Sequence, residues 1–535
     1  MLNTTNPHNY TFTTVHLHIN ILGGIKLNNL ERMRVTLAIQ KITDQKTEQH
    51  NVLRHNVDLY NDTMVEKLVR KTSERIEIGT SIVRKSLQEL TSALETYRIE
   101  QIDKENQDNT PYAKKLSSKE EKEAIKFLQQ KGLIQNTNTL IGKSGVIGEI
   151  TNRLLMYLIF TSRKMNNPLH CISLGSSGVG KTHLQSKVAE LIPNEDKIEI
   201  TVLSANAFYY FNRTELKNKL ILIEDLDGAE SVLYPLRELQ SKKKITKTVV
   251  HKDRKGTTKT IHLTVEGPVS VAGCTTQESV YEDNSNRSFL LYIDESPEQD
   301  KRIMHYQRLI AAGKIDTDIE QAHARFLRNV QRMLQPIKVI NPFAIYLYLP
   351  SAVFKPRRTN THYLQLIAAI TFYYQHQRTK KYDEQTGEEY IETTIEDIKI
   401  ANTLITEVLL RKSDPLTGAA RNYLERLKAY LLQNKTSSFT NSEIRKNLRI
   451  KESTLRGYHK NLLEEGYIKR VKKVKSKSYC FKIIDINEYQ TLKEQIDTTL
   501  QKCIAKINVC GGSPPANSRP TRNPTTREIN TIKNK

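Results

Sequence analysis

Leu169 to Thr182, LHCISLGSSGVGKT, constrains the fold of this chain more than any other stretch. A short apolar run (Leu169, Cys171, Ile172, Leu174) ends in Gly175-Ser176-Ser177-Gly178-Val179-Gly180-Lys181-Thr182, which fits G-x-x-x-x-G-K-[ST] at every fixed position. An amphipathic helical pattern follows (His183, Leu184, Lys187, Val188, Leu191) and stops at Pro193. Strand, glycine loop and helix in that order form the setting this motif needs. The glycines let successive backbone N–H groups turn inward around a β-phosphate. The helix N-terminus adds partial positive charge. On this reading Lys181 reaches the β- and γ-phosphates of ATP, and the Thr182 hydroxyl ligates Mg²⁺.

A second phosphate-site signal lies some forty residues on. The run Leu220-Ile221-Leu222-Ile223 ends in Glu224-Asp225-Leu226-Asp227-Gly228. It reads as a buried strand with carboxylates at its C-terminal edge, where an open α/β sheet places its ligand. Glu224 is assigned to the metal and Asp225 to the attacking water, with Asp225 and Asp227 as the fallback pair. Between them and the glycine loop lies one further strand, Ile198 to Leu203. The next strand, Pro268 to Gly273, ends in Cys274-Thr275-Thr276, and Thr276 is placed to sense the γ-phosphate. Arg287 precedes a fifth strand, Ser288 to Asp294, and is placed to act on a neighbouring subunit's nucleotide as an arginine finger.

A chain of 535 residues is too long for one core. Its longest apolar run, Leu154 to Phe160, is far short of a membrane span, and no signal peptide is legible. Its five cysteines show no C-x-x-C pairing, which fits a reducing cytoplasm and excludes a zinc or disulfide framework. A net charge of +23 points to a polyanion, above all nucleic acid.

Residues 1–110 read as a small accessory α+β domain, with strands at Thr14 to Ile21 and Met33 to Ile39. Helices start at Asn61 or Asp62 and at Thr80, and a polar linker runs from Glu100 to Lys115. His16 and His18 share one strand face and are read as solvated. Between the acidic strand and the threonine strand, Ile245 to Val250 and Thr258 to Val265 alternate around Asp253-Arg254-Lys255-Gly256. This predicts a β-hairpin whose tip, Lys252, Arg254 and Lys255, follows the phosphates of a single strand.

Glycine loop, acidic strand, basic hairpin, threonine strand and arginine, in that order, resemble an AAA+ ATPase of the MCM-like and superfamily-3 kind. IEDLDG (Ile223 to Gly228), GPVSVAGCTT (Gly267 to Thr276) and NRSFLLYIDES (Asn286 to Ser296) are similar to the helicase portion of primase/helicase proteins of bacterial mobile elements. The resemblance implies that Lys181, Thr182, Glu224, Asp225, Thr276 and Arg287 carry catalysis. Two departures stand out: Thr where the sensor is more often Asn, and an inverted acidic pair. No zinc finger or primase module is present.

The expected fold is α/β, a P-loop parallel sheet over 118–297, followed by a helical lid and connecting bundle over 298–412. Residues 418–485 read as a winged helix-turn-helix. Its third helix offers Lys451, Ser453, Thr454, Arg456, Tyr458, His459 and Lys460 to a groove, and its wing offers Lys472, Lys473, Lys475 and Lys477 to phosphates. The Pro-rich basic tail, 511–535, reads as disordered. The function expected is an ATP-driven helicase or translocase, a homo-oligomeric ring such as a hexamer. It would act in replication or mobilisation of a genetic element, with DNA and a separate primase or replication protein as partners and no membrane. The alternative is an ATP-switched initiator or transposition regulator that binds duplex without unwinding it. A third reading, a signalling ATPase, lacks the C-terminal repeats such a protein would carry.

Overall fold

The computed structural model describes all residues except 1, 7, 27–31, 44–45, 48–51, 110–114, 202–205, 228–232, 253–257, 277–285, 351–352, 354, 385, 472–478 and 510–535. It divides into two compact units, Met1–Lys114 and Lys115–Lys535. No helix among the described residues is long and apolar enough to cross a membrane.

The first unit is an antiparallel sheet backed by two helices. Strands Asn9–Thr13, Leu17–Leu22, Arg34–Thr43 and Leu53–Asp58 pair in that order. Alternation decides the faces: Leu17, Ile19 and Ile21 are buried, while His18 and Asn20 between them are not. Helices Asp62–Ile76 and Thr80–Asn109 lay Leu68, Val69, Val83, Leu87, Leu90 and Leu94 on the apolar face. Asn61 caps the first of them through the Met64 N–H. Two corrections follow. The sequence reading missed the first and last of these four strands. The stretch from Glu100 to Asn109, expected as linker, is helical in its backbone, because its Glu, Gln and Lys residues are good helix formers and no breaker precedes Pro111.

The second unit is organised by a five-stranded parallel sheet: β1 (Cys171–Leu174), β2 (Lys197–Ile200), β3 (Lys219–Ile223), β4 (Val269–Thr275) and β5 (Phe289–Tyr292). Their spatial order is β5-β1-β4-β3-β2. The register brings Leu174, Thr275 and Tyr292 level at the C-terminal edge. Strands buried on both faces read as unbroken apolar runs, and β1 and β4 are buried at every residue. One cover is the helix Ile150–Thr161, buried without a break from Leu154 to Thr161. Between β3 and β4 the chain leaves the sheet as a long antiparallel hairpin, Lys244–Lys252 with Thr258–Glu266, paired from Lys244↔Glu266 to Lys252↔Thr258. Its expected tip, Arg254 and Lys255, and the Lys252 side chain lie outside the described residues.

Helices Pro297–Ala311, Thr317–Met333, Pro356–Tyr373 and Ile395–Lys412 follow, with a small three-stranded sheet that the sequence reading did not foresee. The C-terminal module places helices Gly418–Gln433, Asn441–Leu448 and Glu452–Glu464 around Phe439, Ile444, Leu455, Leu462 and Phe481. Thr440 and Glu443 form a capping box on the second helix. Strands Phe439–Thr440, Cys480–Ile483 and Ile468–Val471 complete it in that spatial order. A last helix, Glu488–Val509, returns to the bundle with Ile496, Leu500, Cys503 and Ile507 buried.

The module is fastened by an ionic knot. The Arg421 side chain is 2 % exposed and donates to both oxygens of Asp414, at 2.6 and 2.8 Å, and also to Glu488. Lys428 joins at 2.8 Å from Glu488. Removing one partner of a buried pair strands the other's charge, at about 3–5 kcal/mol. Arg421→Ala is therefore expected to lower the unfolding free energy read from urea titration by that much, and the double variant with Asp414→Ala to recover at least half of the loss. A double variant as unstable as the single one would refute the knot.

Candidate nucleotide site and a separate cationic cleft

The glycine loop leaves β1 at the edge where β3 and β4 also end. Gly178 and Gly180 sit at φ +84° and +94°, the left-handed region that glycine alone enters without strain. A Cβ at either would meet no protein atom within 4 Å. Lys181 opens the helix Lys181–Ala189, is 8 % exposed, and donates from Nζ to the carbonyls of Gly175 (2.8 Å) and Ser176 (2.7 Å). Gln185, buried one turn on, donates to the Ile223 carbonyl at 3.1 Å and accepts from Cys274 Sγ at 3.4 Å, tying this helix to the ends of β3 and β4. Burial pushes the Cys274 thiol up to about 12.

Ser177, Gly178, Gly180, Lys181, Thr182, Glu224, Asp225 and Thr276 line one cavity of about 600 Å³. Most of the phosphate, metal and sensor residues expected from sequence are thus brought together. Thr182 and the two acids bring hard oxygen donors to the lining of this cavity, a set that fits Mg²⁺. Gly175, Ser176 and Val179 complete the loop: Val179 packs on the main core, and Gly175 and Ser176 line a neighbouring cavity with Thr276 and Glu295. Asp227, of the fallback pair, is not among the residues that line the first of these cavities. Its Oδ2 accepts from the Thr276 hydroxyl at 3.0 Å and its Oδ1 from Thr275, so it braces the threonines instead. Its own N–H donates to Asp225 Oδ1 at 2.9 Å. Gly273 makes room for this turn, since a Cβ there would come within 2.8 Å of Leu226.

One residue at this edge had no role in the sequence reading. Glu295, just past β5, accepts from the Ser176 N–H at 2.7 Å and from its hydroxyl at 3.2 Å. An acid following a parallel strand was the available signal. Glu295 and Ser176 also line a cavity of about 720 Å³ with Asn422, Arg426, Thr454 and Tyr458 of the C-terminal module. Thr454 and Tyr458, expected to face a nucleic-acid groove, therefore line a cavity that Ser176 of the glycine loop shares.

Arg287 stands elsewhere. It precedes β5, at the N-terminal end of the sheet, roughly 13 Å of strand from the loop. There it donates to Ser241 Oγ at 3.0 Å and lines a cleft of about 250 Å³ with Lys243, Arg358, His170 and His362. None of the described lining residues is a carboxylate. Lys412 supports the cleft from behind, donating to His362 Nδ1 at 3.1 Å. Burial, then the charges of Arg358 and Lys355, push the Lys412 ammonium down to about 8. Burial, then Arg287, push His170 down to about 3. Local sequence gave no sign that Lys243 and Arg358 meet Arg287, because they lie 44 and 71 positions away.

Among the residues expected to touch nucleic acid, Lys451, Arg456 and Lys460 are exposed, the last two beside Glu452 and Glu464. His459 is a correction. It is 3 % exposed, packed edge-on or tilted among the rings of Tyr423, Phe439 and Phe481, and bonded to Asn441 Oδ1 at 2.7 Å and to the Tyr423 hydroxyl. Burial pushes it down to about 4, so it is a neutral core residue at pH 7. Lys472, Lys473 and Lys475 lie outside the described residues, as does the tail 511–535.

Among solved structures, similarity is found to a full-length MCM homologue from Methanopyrus kandleri, at 14 % identity and a TM-score of 0.35. It covers 55 % of this chain and 62 % of that one, so the chain spans under two thirds of the relative's length. Drosophila ORC bound to DNA aligns at 11 % identity and TM-score 0.20, over 71 % of this chain and 94 % of that one. The Aeropyrum pernix ORC1 protein in complex with DNA aligns at 12 % and 0.20, over 72 % and 97 %. No curated protein sequence matches. Residues 117–336 match the family described as "MTBMA_p00010 P-loop domain". The loop, the parallel sheet and the shared cavity described above give this stretch the arrangement of a P-loop fold.

Proposed function

We propose that the chain is an AAA+-type ATPase that works as a ring on DNA, hydrolysing ATP between subunits to move along one strand. Replication or mobilisation of a mobile element is the setting this reading favours. The observation that carries it is the separation of two phosphate-seeking sites on one sheet. The glycine loop lies at one end, and Arg287, Arg358 and Lys243 lie in a cleft at the other. A cleft that distant cannot serve its own nucleotide, but a neighbouring subunit's can enter it.

In this mechanism the loop's N–H groups and the N-terminus of the helix Lys181–Ala189 hold the β-phosphate. Lys181 leaves the loop carbonyls for the β- and γ-oxygens. Thr182 and Glu224 would hold Mg²⁺, which when bound neutralises phosphate charge and orients the oxygens. Asp225 takes the proton from the attacking water, and Thr276, braced by Asp227, marks the γ-phosphate. The neighbour's Arg287 side of the interface meets the charge that grows in the transition state. The hairpin Lys244–Glu266, rooted beside the cleft at Lys243, converts the change into movement along DNA. The C-terminal module, read as a winged helix, holds duplex through Lys451, Arg456 and Lys460.

The test is steady-state hydrolysis with and without single-stranded DNA, alongside strand displacement on a forked duplex. Stimulation by single strands together with displacement is the expected result. Slow hydrolysis that responds to duplex, with no displacement, would overturn the motor and favour the ATP-switched initiator. One observation favours that second reading: the cavity that joins Thr454 and Tyr458 to Ser176 could tie duplex grip to nucleotide state.

A further inference from the structure

A cluster of tyrosines flanks the hairpin, and the mechanism above gives it no task. Past β2 the chain makes a short turn, Ala207–Tyr210. Phe208 is fully buried and anchors it in the core, with Phe211 packed against its ring at 6.0 Å between centroids. Arg213 pins the same segment to the hairpin through Glu266, at 2.7 Å. The turn is therefore held firmly, yet it presents Tyr210 with 69 % of its surface in solvent. Lys247, on the first hairpin strand, places Nζ 5.6 Å from the Tyr209 ring centroid and 6.0 Å from that of Tyr210. Tyr234, in the first turn of the helix Leu233–Lys242, is 60 % exposed. Burial, and then the neighbouring phenol of Tyr234 and carboxylate of Glu238, raise the Tyr209 pKa, which puts all these groups in one neighbourhood. Glu238 is itself paired with Lys242 at 2.6 Å, which leaves the Lys247 ammonium as the charge beside the two rings.

Two exposed aromatic rings on a rigid support, beside lysines of a basic hairpin, match one ligand chemistry. Lysines meet phosphates in any strand, whereas aromatic faces need flat, unpaired bases to stack on. A duplex hides those faces. We propose that Tyr210 and Tyr234, with Lys247, form a stacking platform for the bases of single-stranded nucleic acid at the hairpin's flank. The inference rests on the DNA-motor reading and adds a base-contacting surface to the phosphate-contacting hairpin.

The chain has no tryptophan, so Tyr210→Trp installs a single fluorescent reporter. The full chain would be titrated with a labelled oligothymidylate and with an abasic strand of equal length. Tyr210→Ala is expected to weaken oligothymidylate binding about 5-fold or more and to leave abasic binding at the wild-type level. Tyr210→Trp is expected to bind at least as tightly as wild type, with its emission quenched by the strand. Unchanged oligothymidylate binding by Tyr210→Ala, or an equal loss on both strands, would overturn the platform. So would full strand affinity joined to a smaller sedimenting species, which would make the patch a contact between subunits. A wild-type chain that binds neither strand would instead bring down the DNA reading itself.

Discussion

Lys181→Ala is expected to lower ATP hydrolysis by about 10³-fold and to leave the fold standing. The ammonium is nearly enclosed and is held by two carbonyls of its own loop, so it is pre-positioned where phosphate charge arrives. Truncation removes a full positive charge from a site where glycine N–H groups and a helix end remain. Those residual donors can still retain nucleotide weakly, which is why turnover falls further than binding. The structural cost is small, because the partners lost are carbonyls at an open loop that water can reach. Phosphate release and a thermal melt would be measured together. Activity within tenfold of wild type, at an unchanged melt, would refute the assignment. Glu224→Gln and Asp225→Asn, run beside it, separate the two acids: the metal ligand's loss is relieved by raised Mg²⁺, the base's is not.

Arg287→Ala is expected to cost about 10³-fold as well, but through a different protomer. The distinguishing experiment mixes two inactive proteins. Lys181→Ala keeps a sound cleft and Arg287→Ala keeps a sound loop. Where the second presents its loop to the first's cleft, a complete site forms. Random co-assembly in a ring makes about a quarter of the interfaces complete, so activity should return to that order. Co-assembly would be verified by sedimentation. Mixed rings that stay inactive would refute action between subunits and place Arg287 in a structural role, bonded to Ser241. Arg358→Ala should fall in the same complementation group as Arg287→Ala, since both line one cleft.

What sequence makes legible here follows the reach of each interaction. The glycine loop, the apolar run before Glu224 and the alternation around residue 254 are written in consecutive residues, and parallel strands and a paired hairpin stand at those places. Helix caps are equally local, as Asn61 and Thr440 illustrate. What stayed hidden depends on partners far along the chain. Ser176 and Glu295 are 119 residues apart, Thr276 and Asp227 49. His459 carries a polar label that suggested a groove-facing residue, but Tyr423 and Asn441 satisfy its ring inside the core. The final helix, Glu488–Val509, did offer a local signal: Ile496, Leu500, Cys503 and Ile507 recur at helical spacing.

If subunits assemble as proposed, the two ends of the central sheet also govern the shape of the assembly. Loop and cleft lie at opposite ends of one sheet, and on the proposed reading one subunit's loop enters the next subunit's cleft. Repeated head to tail, that contact leaves one loop and one cleft unmatched in every open chain of subunits. Growth then halts only when the rotation per subunit brings the last cleft to the first loop. If that rotation carries a rise, the same contact winds into a helical filament without a fixed length. A change of a few degrees at the strand ends, far smaller than any change in contacts, would therefore separate a closed ring from a spiral on DNA.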